Sequence, residues 1–79
     1  MKNIYIKFIN YNGKRNYFVY ENDLDLCVHN GTYTSRNEQV MFYDIIYAIV
    51  NKYNYGKINS ITIENKPNIN SITYLVEVK

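Results

Sequence analysis

Tryptophan is absent from the chain, and cysteine, histidine and proline each occur once. A lone thiol, Cys27, excludes an internal disulfide and with it the stapled folds of small secreted domains. A lone histidine, His29, leaves no Ser/His/Asp constellation to assemble. Cys27 and His29 together supply half of the four ligands a structural zinc needs, and two positions on one strand place a thiol and an imidazole poorly for nucleophile–base chemistry. The three glycines, Gly13, Gly31 and Gly56, are too scattered for a phosphate-binding loop. Charge of one sign is also scarce. Nine Lys/Arg stand against seven Asp/Glu, a net charge of +2, and only Lys14 and Arg15 are adjacent, whereas a duplex-DNA binder gathers its basic residues in a stripe. No apolar run approaches a membrane span. The opening MKNIYIKFIN is interrupted by Lys7 and Asn10 and is not expected to act as a signal peptide. The expectation is a cytoplasmic protein without enzymatic activity, metal or cofactor.

What the chain has instead is tyrosine, ten in 79 residues. Tyrosine combines a large apolar ring with a polar tip, so a surface rich in it suits binding. The length allows one domain over residues 1–79 with one core, which must use most of the Ile, Val, Leu and Phe residues.

Hydrophobic periodicity divides the chain into strands and one helix. Residues Ile4 to Tyr11 alternate and are β-rich, Asn12-Gly13 is a two-residue hairpin signal, and Asn16 to Glu21 return antiparallel. This register sets Phe8 against Tyr17, Ile6 against Val19 and Tyr5 against Tyr20. Ile4, Ile6, Phe8, Tyr17 and Val19 then share the core face. After a turn at Glu21-Asn22-Asp23, the alternation Leu24, Leu26, Val28 predicts a third strand with those residues inward. Asn30-Gly31 predicts another tight turn, with a short return strand at Thr32 to Thr34. Ser35 to Glu38 matches a capping box, opening a helix from about Arg36 to Tyr53. Phe42, Ile45, Ile46, Ile49 and Tyr53 make its core face, and Gly56 is the expected stop. Two strands follow, Ile58 to Glu64 and Ser71 to Val78, joined by a turn at Lys66-Pro67-Asn68. Ile61 and Ile63 form one inward set, and Ile72, Tyr74, Val76 and Val78 another. The fold expected is α+β: an antiparallel β-meander, one amphipathic helix packed on the sheet and a C-terminal β-hairpin, in the order ββ(β)αββ.

Two surfaces are candidates for binding. The pleat that sends Ile4, Ile6 and Phe8 inward sends Tyr5, Lys7, Ile9 and Tyr11 outward, joined by Phe18 and Tyr20. The helix carries a second apolar stripe, Val40, Tyr43, Tyr47 and Val50, which suits a docking surface or a homodimer seam. The ordinary alternatives are a sheet face covered by another strand and a curled sheet that buries both helix stripes. Lys7, Lys14 and Arg15 could contact a phosphate or a carboxylate. Glu21, Asp23 and Asp25 lack the closing Glu of a calcium loop and read as a solvated turn.

These features favour a small protein-binding module over an enzyme. The alternative is single-stranded nucleic-acid binding, with Tyr5, Tyr11, Phe18 and Tyr20 as stacking platforms. Asn, Ile, Lys and Tyr, the residues of A/T-rich codons, are abundant, pointing to a low-GC bacterium or its phages. In size and composition the chain resembles the small inhibitors that mobile elements make against host defence complexes, of which anti-CRISPR proteins are the best-known group. That resemblance implies a non-enzymatic inhibitor that occupies a partner's surface.

Overall fold

The computed structural model describes residues 2–34, 38–64 and 70–79. Among the described residues, five strands and one helix follow in the order β1 (Lys2–Tyr11), β2 (Lys14–Glu21), β3 (Cys27–Thr32), α1 (Glu38–Lys52), β4 (Ile58–Ile63) and β5 (Ser71–Val78). The strands form one antiparallel sheet in the order β3-β2-β1-β5-β4, so the last strand lies inside it beside the first.

The first hairpin is as expected. Asn12 and Gly13 adopt φ of 50° and 78°, the paired left-handed conformations of a type I′ turn. The turn fixes the ladder with Phe8 opposite Tyr17, Ile6 opposite Val19 and Tyr5 opposite Tyr20. Ile4, Ile6, Phe8, Tyr17 and Val19 are all buried, as are Tyr74, Val76 and Val78 from β5. Phe42, Ile46 and Ile49 of α1 close this core from above, with Ile45 and Tyr53 packed at its margin. Burying each such side chain contributes about 1.5–3 kcal/mol. The ring of Phe8 is central, 4.5 Å from Phe42 and edge-on to Tyr33 and Tyr74.

The third strand departs from expectation. Leu24, Leu26 and Val28 are not inward: Leu24 and Leu26 precede β3 and are exposed, Leu26 by 70%, and Val28 is exposed within it. Val19 pairs with His29 while Tyr20 pairs with Cys27, so Val28 is an extra residue in a β-bulge. The bulge shifts the phase of the strand, and His29, opposite the buried Val19, takes the core side. Asn30-Gly31 forms no turn but continues the strand opposite Phe18 and Tyr17. The Tyr17 ring lies against this glycine: a Cβ on Gly31 would lie 2.5 Å from the Tyr17 Oη and the ring would have to shift.

The helix ends before the expected glycine. The Tyr55 N–H donates to Val50 O and the Asn54 N–H to Asn51 O, the two bonds of a Schellman motif. Its left-handed residue is Asn54, with φ 57°. Gly56 has a different role: its φ is 105° and a Cβ there would meet Lys79 O at 2.5 Å. On β4, Ile61 packs against the core, whereas Ile63, expected inward with it, is 52% exposed. Ile63 lies opposite Tyr74 on the helix side but at the outermost strand of the sheet. The expected capping box at Ser35 and turn at Lys66-Pro67-Asn68 lie outside the described residues, as does the Val40 side chain.

Candidate functional site: the open face of the sheet

The helix covers one side of the sheet, and among the described residues no element covers the other. The terminal hairpin lies edge to edge with β1 and extends this open face. The ladder pairs define its rows. Cys27, Tyr20, Tyr5, Leu75 and Thr62 stand side by side across all five strands. The next row sets Asn30, Phe18, Lys7 and Thr73 together, and Ile9 follows beside Asn16 and Ser71. Toward the hairpin tip Tyr11 lies opposite Lys14, both exposed. Tyr5, Lys7, Ile9, Phe18 and Tyr20 are half-buried, and Thr73 is buried. Partial burial, then the neighbouring Cys27, pushes the Tyr20 hydroxyl up from its ordinary pKa.

Of the basic trio, Lys7 and Lys14 belong to this face. Arg15 does not: strand alternation turns it to the side of Tyr17, and its Nε is buried without a hydrogen-bond partner. The helix stripe divides too. Tyr43 and Tyr47 are exposed, by 46% and 57%. Val50, read from the sequence as part of that stripe, is only 3% exposed and belongs to the core. It packs in the core cluster, and its backbone carbonyl accepts the Tyr55 N–H of the Schellman turn.

Reading the sequence missed a second cluster, where the end of α1 meets β1, β2 and β3. Tyr55 Oη donates to Glu21 Oε2 at 2.7 Å, and Lys2 Nζ is paired with Glu21 Oε1 at 2.7 Å. The hydroxyls of Tyr17 and Tyr53 are 3.1 Å apart, and His29 stacks on Tyr53 at 3.7 Å. The Lys2 ammonium, followed by the Tyr55 hydroxyl, holds the Glu21 carboxyl below its ordinary pKa. Burial and the contact with Tyr53 push Tyr17 up to about 12, and burial with the Glu21 carboxylate pushes Tyr55 higher still. The signal was present in the register: Ile4 opposite Glu21 makes Lys2 its diagonal neighbour on the same face. The polar tips here are tied to one another, so the cluster clasps the helix end to the sheet.

Cys27 and His29 are not brought together as a pair. Their cross-strand partners Tyr20 and Val19 point to opposite faces, and the Cys27 thiol donates to the His29 backbone oxygen at 3.1 Å. Among the described residues no three His, Cys, Asp or Glu side chains gather as a metal ion would need, and no helix is long and apolar enough to cross a membrane. A groove of about 370 Å³ opens between α1 and β3, lined by Tyr17, Thr32, Tyr33, Ile45 and Ala48 with Lys52 at its rim. Comparison with family models, curated protein sequences and solved structures finds no match to the chain.

Proposed function

We propose that the chain is a non-enzymatic protein-binding module that lays the open face of its sheet on a partner protein in the cytoplasm. The observation that carries this reading is the uncovered row of Tyr20, Tyr5 and Leu75, with Phe18 and Lys7 beside it. Tyrosine and phenylalanine have only two side-chain torsions, so a partner gains their apolar area at a small cost in side-chain entropy. The nearly balanced charge favours a protein over a polyanion. The most specific form of the reading is an inhibitor of a host defence complex made by a phage or mobile element. Size and composition support it, and they select low-GC bacterial lysates as the place to look.

Single-stranded nucleic acid is the second reading, favoured by Lys7 directly opposite Phe18 and one residue pair from Tyr5. Glu77 on the same face, opposite Asn3, opposes it. The test is a pull-down from nuclease-treated lysate with the wild-type chain and with Tyr5→Ser/Phe18→Ser/Tyr20→Ser. The expected result is a stoichiometric protein partner that survives nuclease and moderate salt and is lost with the variant, while circular dichroism shows the variant folded. Capture that depends on nucleic acid and collapses with salt would overturn the protein reading. Capture unaffected by the variant would overturn the face.

A further inference from the structure

The sheet ends in two edges, β3 and β4. Exposed edges invite pairing, and proteins usually blunt them with bulges, charges or proline. The β3 edge carries its bulge at Val28, near its start. The β4 edge likewise has an irregularity near its start, between Ile58 and Ser60, and its residues Ile58–Ile63, INSITI, like Cys27–Thr32 of β3, include no Lys, Arg, Asp, Glu or proline; what sets β4 apart is the apolar corner beside it. Its backbone orientation follows from one bond. The Glu64 N–H donates to Thr73 O at 2.8 Å, so Glu64, and with it Thr62, points its backbone groups into the sheet. Ile61 and Ile63 therefore turn their N–H and C=O groups outward. The helix flank overlooks this edge: the ring of Tyr43 is 6.1 Å from that of Tyr74, the cross-strand neighbour of Ile63. Among the described residues, Tyr43, Tyr47 one helical turn further on, and Ile63 are exposed apolar side chains on this side.

We propose that β4 is a self-association edge, occupied by β4 of a second copy running antiparallel across a two-fold axis at Ile61. This goes beyond binding through the open face, because it uses the sheet edge and the helix flank. The occupant is argued from complementarity. With Ile61 opposite its own copy, the two residues exchange both backbone hydrogen bonds, and Thr62 faces the second copy's Ser60 on the open face of the joined sheets. The strand begins after Lys57 and ends before Glu64, so counting out from Ile61 sets each Glu64 opposite the second copy's Ile58, one residue from its Lys57 and within reach of that long side chain. The uncharged strand offers no repulsion to its own copy. Pairing would join the two open faces into one continuous surface, which strengthens binding to any partner presented in repeated copies.

Sedimentation of the purified chain over a range of concentrations tests this without any partner present. The expected result is a monomer–dimer equilibrium. Ile63→Pro, which deletes an outward N–H and leaves the β4–β5 ladder bonds in place, should weaken it at least about tenfold. Tyr43→Ser/Tyr47→Ser should weaken it without changing the circular dichroism. Lys57→Glu should weaken it, and adding Glu64→Lys should restore it, a rescue that a merely unfolded edge would not show. Tyr5→Ser/Phe18→Ser/Tyr20→Ser should leave it unchanged, which separates this inference from the proposed function. A chain that stays monomeric throughout, dimers indifferent to Ile63→Pro, or open-ended polymers would overturn it.

Discussion

The covered and open sides of the sheet use the same residue type in different ways. Tyr17, Tyr33, Tyr53, Tyr55 and Tyr74 lie in or against the core, whereas Tyr5, Tyr11 and Tyr20 stand on the open face and Tyr43 and Tyr47 on the helix flank. On the covered side the rings pack edge-on around Phe8, and hydroxyls at the rim reach one another or Glu21. A chain without tryptophan closes its small core with residues that can be apolar at one end and hydrogen-bonded at the other. Abundant tyrosine is therefore a poor measure of binding surface by itself. Position across the pleat decides which rings close the core and which are left on the open surface.

The sharpest way to break that comparison is truncation on each side. Tyr74→Ala removes a buried ring in contact with Phe8, Phe42 and Tyr43 and should cost about 3–5 kcal/mol in urea denaturation. Tyr5→Ala on the open face should cost less than about 1 kcal/mol. Equal losses would mean that the open face is a second core rather than a surface.

Gly31→Ala should come next, at about 1–3 kcal/mol, because the new methyl group must displace the Tyr17 ring. Paired with Tyr17→Leu, the alanine should cost less than it does alone, a coupling that a double-mutant cycle would measure. Additive losses would show that the strand rejects the alanine for a reason other than the ring.

A smaller effect is expected from pH, and its sign follows from the clasp. Glu21 has a folded pKa below its unfolded one, so it contributes stability above its unfolded pKa and loses it as the pH falls through the folded value. Glu21→Gln should flatten the acid side of a stability–pH curve. Tyr17 and Tyr55 have folded values above their unfolded ones. Their contribution is complete below the unfolded tyrosine pKa of about 10 and is lost as the pH rises through the folded values, about 12 for Tyr17. The tyrosinate absorbance of the folded chain should lag that of the urea-denatured chain above pH ~10, and Tyr17→Phe with Tyr55→Phe should shorten the lag. An unchanged lag would place the clasp in error.

Much of the fold was legible because local and long-range signals agree in it. Asn12-Gly13 specifies a turn whose twist suits the flanking strands, and alternation on both sides then leaves one register for Phe8 and Tyr17. The helix core face from Phe42 to Tyr53 and the β5 set from Ile72 to Val78 follow from periodicity in the same way. Legibility failed where a residue's neighbour is distant in sequence. The alternation of Leu24, Leu26 and Val28 is genuine, but Leu24 and Leu26 precede the strand and Val28 is the extra residue of a bulge, which has no signature in side-chain period. Gly31 resembles a turn residue until Tyr17 is known to lie across from it. Asn54 rather than Gly56 caps the helix because the helix stops a turn earlier than its glycine. The open face was half legible: the pleat named Tyr5, Lys7, Phe18 and Tyr20, while the part supplied by Leu75 and Thr62 needed the strand order.

The smallest effect belongs to Cys27, and it sharpens the comparison by separating the row from the chemistry. Cys27 stands at the end of the open row beside Tyr20, with its thiol bonded to the His29 carbonyl. A serine hydroxyl can donate the same bond with little change in volume. Cys27→Ser should therefore shift stability by less than about 0.5 kcal/mol and leave partner binding intact, whereas Tyr20→Ser, one strand away in the same row, should weaken binding. Loss of binding with Cys27→Ser alone would show that the thiol itself reacts or binds, and the open face would then have to be read as a chemical site.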